Sequence, residues 1–394
     1  MSTLKVNSIR GTGASSDAIS VNSSDGTCTV KATNNLSNRN LIINGAMQCA
    51  QYGQSSTTAG YGSLDRFQGV SGGGEEACTH SQHALTSSDT GPWAAGFRNS
   101  FHLQNGNQTG GAGSNDYAYI GYTIEAQDIA TSGWDYNSAS SYLTLSFWVK
   151  SSVAGQQYGY LYTADGTSQG FSFSVGNLSA DTWSKVTVNI PGHANLTFDN
   201  DNGGGLYMYW GPHWGSDYTN SGNTLLTWAA YSSSNRTPDF PTTWWTTNDA
   251  TFELTGVQLE VGDVATDFEH RSYGDELRRC QRYFYRHVLG SWNGNGKSSI
   301  TDNASMYNAT ICFLTVPLPV TMRAEPTLGT SNSSNYYEAY INGASVTFDT
   351  WGLDGVSTKR CLTINATLPS VTAGASALVR TDNAAAFLDA IAEL

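Results

Sequence analysis

Apolar and polar residues alternate along several segments of the chain, and a period of two is the pattern of a half-buried β-strand. The clearest segment is 143–150, where Leu143, Leu145, Phe147 and Val149 share one face. The same alternation recurs at 158–162, 171–175 and 186–190. The pattern predicts a protein built mainly from antiparallel β-strands.

Glycine and turn residues refine this prediction. Segment 251–261 alternates with a break in phase at Gly256, which predicts a β-bulge there. Segment 310–316 is apolar on both faces and is predicted to be a central strand. Asn342-Gly343 lies between strand-forming residues, which is the strongest short-range signal of a hairpin. Segment 384–394 has a helix-forming composition, although tertiary context could make it a strand.

One segment has the residue spacing of an α-helix. Ser272 is a good N-cap residue, and it precedes an apolar stripe at helical spacing. The stripe consists of Leu277, Cys280 and Phe284, which we expect to be buried. The predicted helix therefore runs from Ser272 to near His287.

The first 40 residues are small and polar, with scattered strand-forming side chains. These are Val6, Ile9, Ile19, Val21 and Val30. They offer too little apolar area for a separate core, so short strands here would need to pair with something else, such as other copies of the chain. The alternative is a flexible tail.

Composition narrows the class of protein. Only 13% of the residues are charged, against roughly 25% in a typical globular protein, 12% are aromatic and the net charge is -13. The aromatic content excludes a disordered chain, and the lack of a basic stripe excludes a nucleic-acid binder. The sequence has no run of about 18 apolar residues, so we expect no membrane span. The N-terminus lacks the apolar stretch of a signal peptide. The 6 cysteines show no disulfide or metal spacing, so we expect free, buried thiols in a chain made in a reducing cytosol.

Motifs for catalysis or metal binding are weak. Segment 166–170 matches the Gly-x-Ser-x-Gly nucleophile motif, but a strand pattern follows where that motif needs a helix, so we predict a hairpin loop. Segment 199–203, with Asp199 and Asp201, spaces its oxygen atoms as calcium loops do; a polar turn is the preferred interpretation. The histidines show no metal spacing beyond the weak pair His80 and His83. The carboxylates neither locate nor exclude a glycosidase pair.

Aromatic-rich loops are more informative about binding. An exposed Trp or Tyr ring can cover the apolar face of a sugar, while Asp, Asn or His side chains bind its hydroxyl groups. The candidate carbohydrate-binding residues in these loops are Trp210, His213, Trp214, Asp217, Trp244 and Trp245. The alternative is that the indole rings fill the core, as large aromatic groups commonly do.

Several stretches, taken in their order, resemble the tail fibres of marine bacteriophages, especially those that infect cyanobacteria. They are STLKV at 2–6, NLIINGAMQ at 40–48, YGSLDRF at 61–67, LSFWVKS at 145–151, FELTGVQLEVG at 252–262, ELRRCQRYF at 276–284 and MRAEPT at 322–327. The central region is also similar to the galactose-binding-type jelly rolls of carbohydrate-binding modules. That similarity depends on 147–151, Trp183 and 258–262.

The resemblance implies a homotrimer whose N-terminus docks on the phage tail or an adaptor protein and whose globular parts face the host. The predicted organisation is a virion-attachment and trimerisation arm at 1–40, a jelly-roll carbohydrate-binding-like domain at 41–270, a linking helix at 271–287 and a C-terminal β-rich domain at 288–394. If the C-terminal domain is the tip, the candidate ring platforms there are Tyr336, Tyr337 and Trp351.

We therefore expect an all-β protein with a central jelly-roll β-sandwich, a short linking helix, a C-terminal antiparallel β domain and an extended N-terminal β arm. The expected function is that of a structural tail fibre, made in the host cytoplasm and located in the virion tail, that binds host-surface polysaccharide or lipopolysaccharide during adsorption. Catalysis, a metal, a cofactor, nucleic acid and membrane insertion are not expected. A glycan-degrading tailspike enzyme and a secreted carbohydrate-binding adhesin remain alternatives, and the missing signal peptide argues against the adhesin.

Overall fold

The computed structural model describes residues 6–12, 19–21, 28–30 and 38–394. In the N-terminal region, strands β1 (Ser8–Ile9), β2 (Ile19–Val21) and β3 (Cys28–Val30) form a small antiparallel arm sheet. The prediction of short strands is confirmed at Ile9, Ile19, Val21 and Val30. The rest of the predicted arm that falls on 1–5, 13–18, 22–27 and 31–37 lies outside the described residues.

The central region is a β-sandwich of antiparallel strands, as the alternating pattern predicts. Its strands are β4 (Ser55–Ser56), β5 (Phe67–Gly72), β6 (Thr79–Ala84), β7 (Asn99–Gln104), β8 (Tyr117–Glu125), β9 (Tyr142–Ser151), β10 (Gly155–Thr163), β11 (Gln169–Leu178), β12 (Ser184–Pro191), β13 (Gly204–Trp214), β14 (Trp228–Ala230) and β15 (Thr251–Val261). The front sheet has the order β14-β11-β10-β13-β8-β5, and the back sheet has the order β12-β9-β15-β7-β6-β4. The chain crosses repeatedly between these sheets, as in a jelly roll; a short helix, α1 (Ala126–Ala130), lies at one crossing.

The inward faces of the front and back sheets form the core of the sandwich. On β9 the predicted stripe Leu143, Leu145, Phe147 and Val149 is fully buried, so the alternation there is confirmed. The β-bulge predicted in β15 is confirmed too: Gly256 has φ of 63°, and the register with β9 shifts between Thr255 and Gln258. A β-carbon at Gly256 would lie 2.6 Å from the Phe97 ring, so the position requires glycine for both conformation and space.

The predicted linking helix exists but is shorter than expected. Helix α2 spans Tyr273–Gln281, and the Ser272 hydroxyl caps it by accepting a hydrogen bond from the Asp275 amide at 3.2 Å. The prediction that it continues to His287 is wrong. The chain instead enters strand β16 (Phe284–Leu289), where Phe284 stacks on Tyr52 with ring centroids 3.6 Å apart. Cys280 and Phe284 are buried as predicted, whereas Leu277 is only half-buried. No helix in the described ranges is both long and apolar enough to cross a membrane.

The C-terminal region is antiparallel and has its own hydrophobic core. A 3-10 turn (Gly290–Trp292) follows β16, and the further strands are β17 (Ser299–Met306), β18 (Ile311–Pro317), β19 (Thr327–Thr330), β20 (Tyr337–Ile341), β21 (Ala344–Phe348), β22 (Gly352–Leu353), β23 (Cys361–Thr367), β24 (Ser376–Thr381) and β25 (Phe387–Ile391). The small sheet has the order β16-β25-β19, and the large sheet has the order β21-β20-β24-β17-β18-β23-β22.

A hairpin, a central strand and the conformation of 384–394 are the local predictions for this region. The Asn342-Gly343 hairpin is confirmed, with φ of 53° and 79° at the two turn residues. Strand β18 lies between β17 and β23, so its central position is confirmed. Of the two interpretations of 384–394, the strand is correct, because β25 pairs with both β16 and β19.

Ion pairs with buried carboxylates join the sandwich to the chain that follows it. Arg282 makes a bidentate contact with Glu125, with Nε–Oε1 at 2.9 Å and Nη2–Oε2 at 2.7 Å. The Tyr283 hydroxyl donates to the same carboxylate. Arg66 pairs with Glu393 and lies over the Tyr283 ring at 3.5 Å. We call this set of side chains the junction network.

The loop with calcium-like spacing also lies at this junction. Asp201 Oδ1 accepts a hydrogen bond from the Gly203 amide at 2.8 Å, which is the local geometry of a polar turn. The Asn202 side chain donates to the Arg323 carbonyl at 2.7 Å, and the Arg323 guanidinium donates to the Asn202 carbonyl. These side chains therefore help to join the sandwich to the C-terminal region.

The prediction of free, buried thiols is confirmed for four of the five cysteines whose side chains are described. Cys49, Cys78, Cys280 and Cys312 are free and buried, and Cys361 is free and half-buried. Burial raises the pKa of the Cys312 thiol to about 11. A thiol with a raised pKa is mostly protonated at neutral pH and therefore a poor nucleophile.

Glu338 on β20 provides a test of the C-terminal fold by pH. Burial by itself raises its pKa, but hydrogen bonds from Ser345 and Lys297 and the charge of Arg380 outweigh burial and lower the pKa to about 2. Because the pKa is lowered in the folded state, the stabilisation is present above the unfolded value of about 4.5 and is lost as the pH falls toward 2. We expect Glu338→Gln to be less stable than the wild type in urea at neutral pH, with the difference shrinking near pH 2. Equal stability at neutral pH would contradict this assignment.

Candidate functional site: the junction groove

Most side chains predicted to face a glycan are buried. The buried ones, with their exposed fractions, are Trp210 (0%), His213 (2%), Trp214 (2%), Trp244 (1%), Trp245 (1%), Tyr337 (0%) and Trp351 (3%). Asp217 is exposed and Tyr336 is half-buried. The expectation that these loops present bare rings to solvent is therefore wrong.

Packing and hydrogen bonding explain the burial of the sandwich tryptophans. Trp210 points inward from β13 and packs edge-on against Phe147, with ring centroids 5.8 Å apart. The Trp244 indole donates to the Thr251 carbonyl and the Trp245 indole donates to the Gly111 carbonyl, both at 3.1 Å. The alternative that the indoles fill the core is correct for these three residues.

The candidates in the C-terminal region behave in the same way. The Tyr337 hydroxyl donates to the Phe387 carbonyl at 2.6 Å. Trp351 packs perpendicular to Phe348, with centroids 5.0 Å apart and planes at 89°. Both rings therefore belong to the C-terminal core, and they are not available to stack on a ligand.

Tyrosines on the outer face of the front sheet mostly cover one another. Tyr162 stacks on Tyr207 with centroids 4.5 Å apart, and Tyr119 stacks on Trp214 at 5.0 Å. The Arg236 guanidinium lies 4.9 Å from the Trp214 ring. Since these ring faces are occupied by neighbouring side chains, this surface offers mainly ring edges and hydroxyl groups.

A groove of about 590 Å³ lies between the sandwich, helix α2 and strand β16. We call it the junction groove. The helix lines it with Tyr273, Leu277 and Gln281, which share one face at intervals of four residues. The strand lines it with its alternate residues Tyr285, His287 and Leu289. The remaining wall consists of Gln48, Ala50, Gln51, Gly53, Gln54, Gln82, Arg286 and Trp292.

Two large aromatic rings in this groove are open to solvent. Tyr273 is 56% exposed and Trp292 is 62% exposed. Among the described residues, the remaining exposed Tyr or Trp is Tyr307, which is 76% exposed and lies outside the groove. Tyr273 and Trp292 therefore provide the open ring surface that the predicted loops do not.

Amide side chains supply the polar contacts of the groove. Gln51 is fixed, because its amide nitrogen donates to Asp65 Oδ2 at 2.7 Å and to the Phe284 carbonyl at 3.0 Å. The side chains of Gln48, Gln54 and Gln281 make no hydrogen bond within the described part of the chain. Each of these three amides can offer a donor and an acceptor to a ligand.

The groove is close to electrically neutral. Arg286 is paired with Asp389 through two contacts of 2.9 and 2.7 Å, so its charge is compensated. Burial lowers the pKa of His287, which is therefore uncharged at neutral pH. Asp65 lies behind Gln51. Burial raises the pKa of Asp65 to about 7, although the hydrogen bonds from Gln51 lower it. Such a surface suits an uncharged ligand that is rich in hydroxyl groups.

The sequence did not single out any residue of this groove as a binding residue. Gln48, Gln51 and Gln54 are spaced by three residues and Tyr273, Leu277 and Gln281 by four, but neither spacing indicates what the side chains face. The groove exists because α2 and β16 pack beside a segment more than 200 residues earlier in the chain. The hydrogen bond from Gln51 to Phe284, two residues that are 233 apart in sequence, shows this contact. Local patterns carry no signal for that contact.

Comparisons with known proteins give distant structural similarities. No protein-family model and no curated protein matches the sequence. The enzymatically active domain of tailspike protein 4 from bacteriophage CBA120 is 10% identical with a TM-score of 0.30, covering 57% of this chain and 21% of that one. A family 11 carbohydrate-binding module from Clostridium thermocellum is 12% identical with a TM-score of 0.24, covering 52% and 95%. The tandem CBM22 domains from Paenibacillus barcinonensis are 11% identical with a TM-score of 0.23, covering 83% and 93%.

This chain thus spans about a fifth of the length of the tailspike domain chain that it overlaps.

Proposed function

We propose that the protein binds neutral glycan in the junction groove and does so as a structural tail fibre of a bacteriophage. One observation carries the binding proposal: two exposed rings, Tyr273 and Trp292, lie beside unpaired amides in a groove with compensated charge. Fibre identity depends on the ordered sequence motifs that resemble phage tail fibres. The fibre would be located in the virion tail and would contact the host surface.

The chemistry of a sugar matches this groove in two ways. A pyranose has an apolar face that packs against Trp or Tyr, since these side chains combine a large apolar area with a polar edge. Its rim of hydroxyl groups needs paired donors and acceptors, and the amides of Gln48, Gln54 and Gln281 supply both.

Binding without cleavage is the preferred form of this proposal. Hydrolysis of a glycosidic bond requires a pair of carboxyl groups about 5 to 10 Å apart across the bond. The described lining of the groove contains amides, rings and one compensated arginine but no Asp or Glu, which supports a binding role at this groove. Asp65 and Asp389 lie behind the groove lining. Asp65 accepts a hydrogen bond from Gln51, and Asp389 accepts one from Arg286.

Host-surface polysaccharide incubated with the purified protein tests this proposal. We expect the polysaccharide to retain the protein on an affinity matrix and to show no increase in reducing ends over time. A steady release of reducing ends would favour the tailspike alternative. No retention by polysaccharide from any susceptible host would contradict glycan binding.

Exposed apolar side chains of the arm favour the proposed self-association and virion attachment. Val6 is 41% exposed and Ile9 is 52% exposed, so apolar side chains of the arm remain in solvent when the chain is alone. Burial of such side chains against other copies or a tail protein would be favourable, at about 25 cal/mol per Å² of apolar surface. Burial of these side chains would stabilise the proposed homotrimer and its docking on the tail.

Sedimentation of the purified full chain checks the oligomeric state. We expect a trimer at micromolar concentration. Deletion of residues 1–37, which keeps the hydrogen bonds of Asn40 to Val257 and Leu259, is expected to abolish virion attachment while the circular dichroism spectrum and the unfolding midpoint of the sandwich stay unchanged. A monomeric full chain would contradict self-association, and loss of folding on deletion would contradict the independence of the arm.

A further inference from the structure

A second cluster of chemically active side chains lies on the outer face of the back sheet and shares no residue with the junction groove. His83 on β6, His102 on β7 and Glu253 on β15 point to the same place, and their candidate ligand atoms all lie within 4.8 Å of one another. The cross-strand register places His102 directly opposite Glu253. The cluster is therefore produced by strand pairing and not by any local motif.

The weak sequence pair His80 and His83 is separated by the fold. His80 points into the sandwich, where Nδ1 is 2.7 Å from the Ser63 hydroxyl and Nε2 is 2.9 Å from the Thr58 carbonyl. His83, at the other face, is half exposed and has His102 as its neighbour, with ring centroids 5.0 Å apart. The histidine pair that could share a ligand is thus His83 with His102.

The distances suit a small metal ion. Glu253 Oε2 is 3.2 Å from His83 Nδ1, and Oε1 is 3.6 Å from His102 Nδ1. Ligand atoms about 2.0 to 2.1 Å from a tetrahedral zinc ion lie about 3.3 Å from each other, so little rearrangement is needed. His102 Nδ1 is buried and has no hydrogen-bond partner in the described part of the chain. A metal would satisfy this atom.

The surroundings hold the carboxylate in place and keep it ionised. The Ser100 hydroxyl donates to Glu253 Oε2 at 2.7 Å, and Lys150 Nζ lies 2.8 Å from Oε1. Lys150 also contacts Asp89 at 3.3 Å, so its ammonium group has a second carboxylate to pair with when a metal takes Oε1. The two negative charges of Asp89 and Glu253 exceed the single positive charge of Lys150. The remaining negative charge would attract a divalent cation.

We propose that His83, His102 and Glu253 form a binding site for a divalent transition-metal ion, with zinc as the best fit. Two imidazoles and one carboxylate suit zinc, copper, nickel or iron, whereas calcium and magnesium take mainly oxygen ligands. The ion would connect β6, β7 and β15 on one face of the sheet. Since His83 is half exposed, at least one coordination position would face solvent.

Metal titration of tag-free, full-length protein, freed of metal with a chelator, tests the site. We expect one equivalent of Zn²⁺ to bind by calorimetry and one equivalent of Co²⁺ to give the visible absorption of a low-symmetry, tetrahedral-like site. His83→Gln and His102→Gln should each weaken the affinity by about tenfold or more. Ca²⁺ should not compete at comparable concentration.

The matched control is His193→Gln, since His193 is half-buried and lies outside the cluster. It should bind Zn²⁺ as the wild type does. His83 is half exposed, so its variant should stay folded, and circular dichroism would verify this. Absence of Zn²⁺ and Co²⁺ binding by the wild type, or unchanged affinity in both ligand variants, would overturn the proposal.

Discussion

Replacement of Arg66 by methionine is expected to lower the free energy of unfolding by about 3 to 5 kcal/mol, because it leaves a buried carboxylate without its partner. Arg66 is 1% exposed and pairs with Glu393, whose side chain is 6% exposed. Its guanidinium also donates to the Thr123 carbonyl at 2.6 Å and lies 3.5 Å from the Tyr283 ring. One substitution therefore removes the ion pair to the end of the chain, a hydrogen bond within the sandwich and the cation–π contact with Tyr283.

Chemical denaturation of the wild type and the variant measures this loss. The control is Arg278→Met, since Arg278 is an exposed arginine on helix α2. It should change the stability by less than about 0.5 kcal/mol. A second variant, Arg66→Met with Glu393→Leu, should recover part of the loss, because the unpaired charge is gone. A loss in Arg66→Met no larger than in the control would show that the junction network does not stabilise the fold.

The loss in Arg66→Met should also depend on pH. Burial raises the pKa of Glu393, and Arg66 opposes that rise. Without Arg66 the folded-state pKa rises further, so the folded protein prefers the protonated acid. Stability should then fall as the pH increases above the unfolded value of about 4.5. The deficit relative to the wild type is therefore expected to be smaller at mildly acidic pH than at neutral pH.

Removal of both open rings of the groove, by Tyr273→Ala with Trp292→Ala, is expected to reduce adsorption to host cells by about 100-fold or more. Single sugar sites that depend on stacking and hydrogen bonds are weak, often millimolar or about 4 kcal/mol. Linking several copies of a weak site raises the overall affinity by about 10² to 10⁴ over that of one site. When each site loses its ring contacts, this gain in affinity is lost as well. The small change per site thus becomes a large change in adsorption.

Tyr307→Ala is the matched control for this variant, because Tyr307 is an exposed aromatic residue outside the groove. It should adsorb like the wild type. Salt should have little influence, since a net charge of -13 gives no broad attraction to an anionic envelope. Wild-type adsorption by the double variant, or a steep loss of wild-type binding between low and moderate salt, would contradict stacking in the groove.

The features that sequence patterns predicted well are those that short segments determine. The β9 stripe, the bulge at Gly256, the cap at Ser272 and the Asn342-Gly343 hairpin follow from periodicity, backbone freedom or capping within a few residues. The pattern predicts too long a helix α2 because Phe284 continues its apolar spacing. Pairing of β16 with β25, about 100 residues later, decides the conformation there instead.

The binding residues could not be predicted from such patterns. A tryptophan in a polar loop, such as Trp244 or Trp245, looks the same in sequence whether the loop stands free or folds over the core. Here it folds over the core, and the indoles find backbone carbonyls. The open ring of Tyr273 lies instead on the predicted linking helix, and that of Trp292 lies on a short turn at the start of the predicted C-terminal domain.

A crystal structure of the protein with a bound oligosaccharide from a susceptible host would test the central claim most directly. We predict sugar density in the junction groove, with one ring in contact with Trp292 and hydroxyl groups within hydrogen-bond distance of Gln281 or Gln54. Density at another surface, such as the tyrosine-rich outer face of the front sheet, with the groove free of sugar, would contradict it.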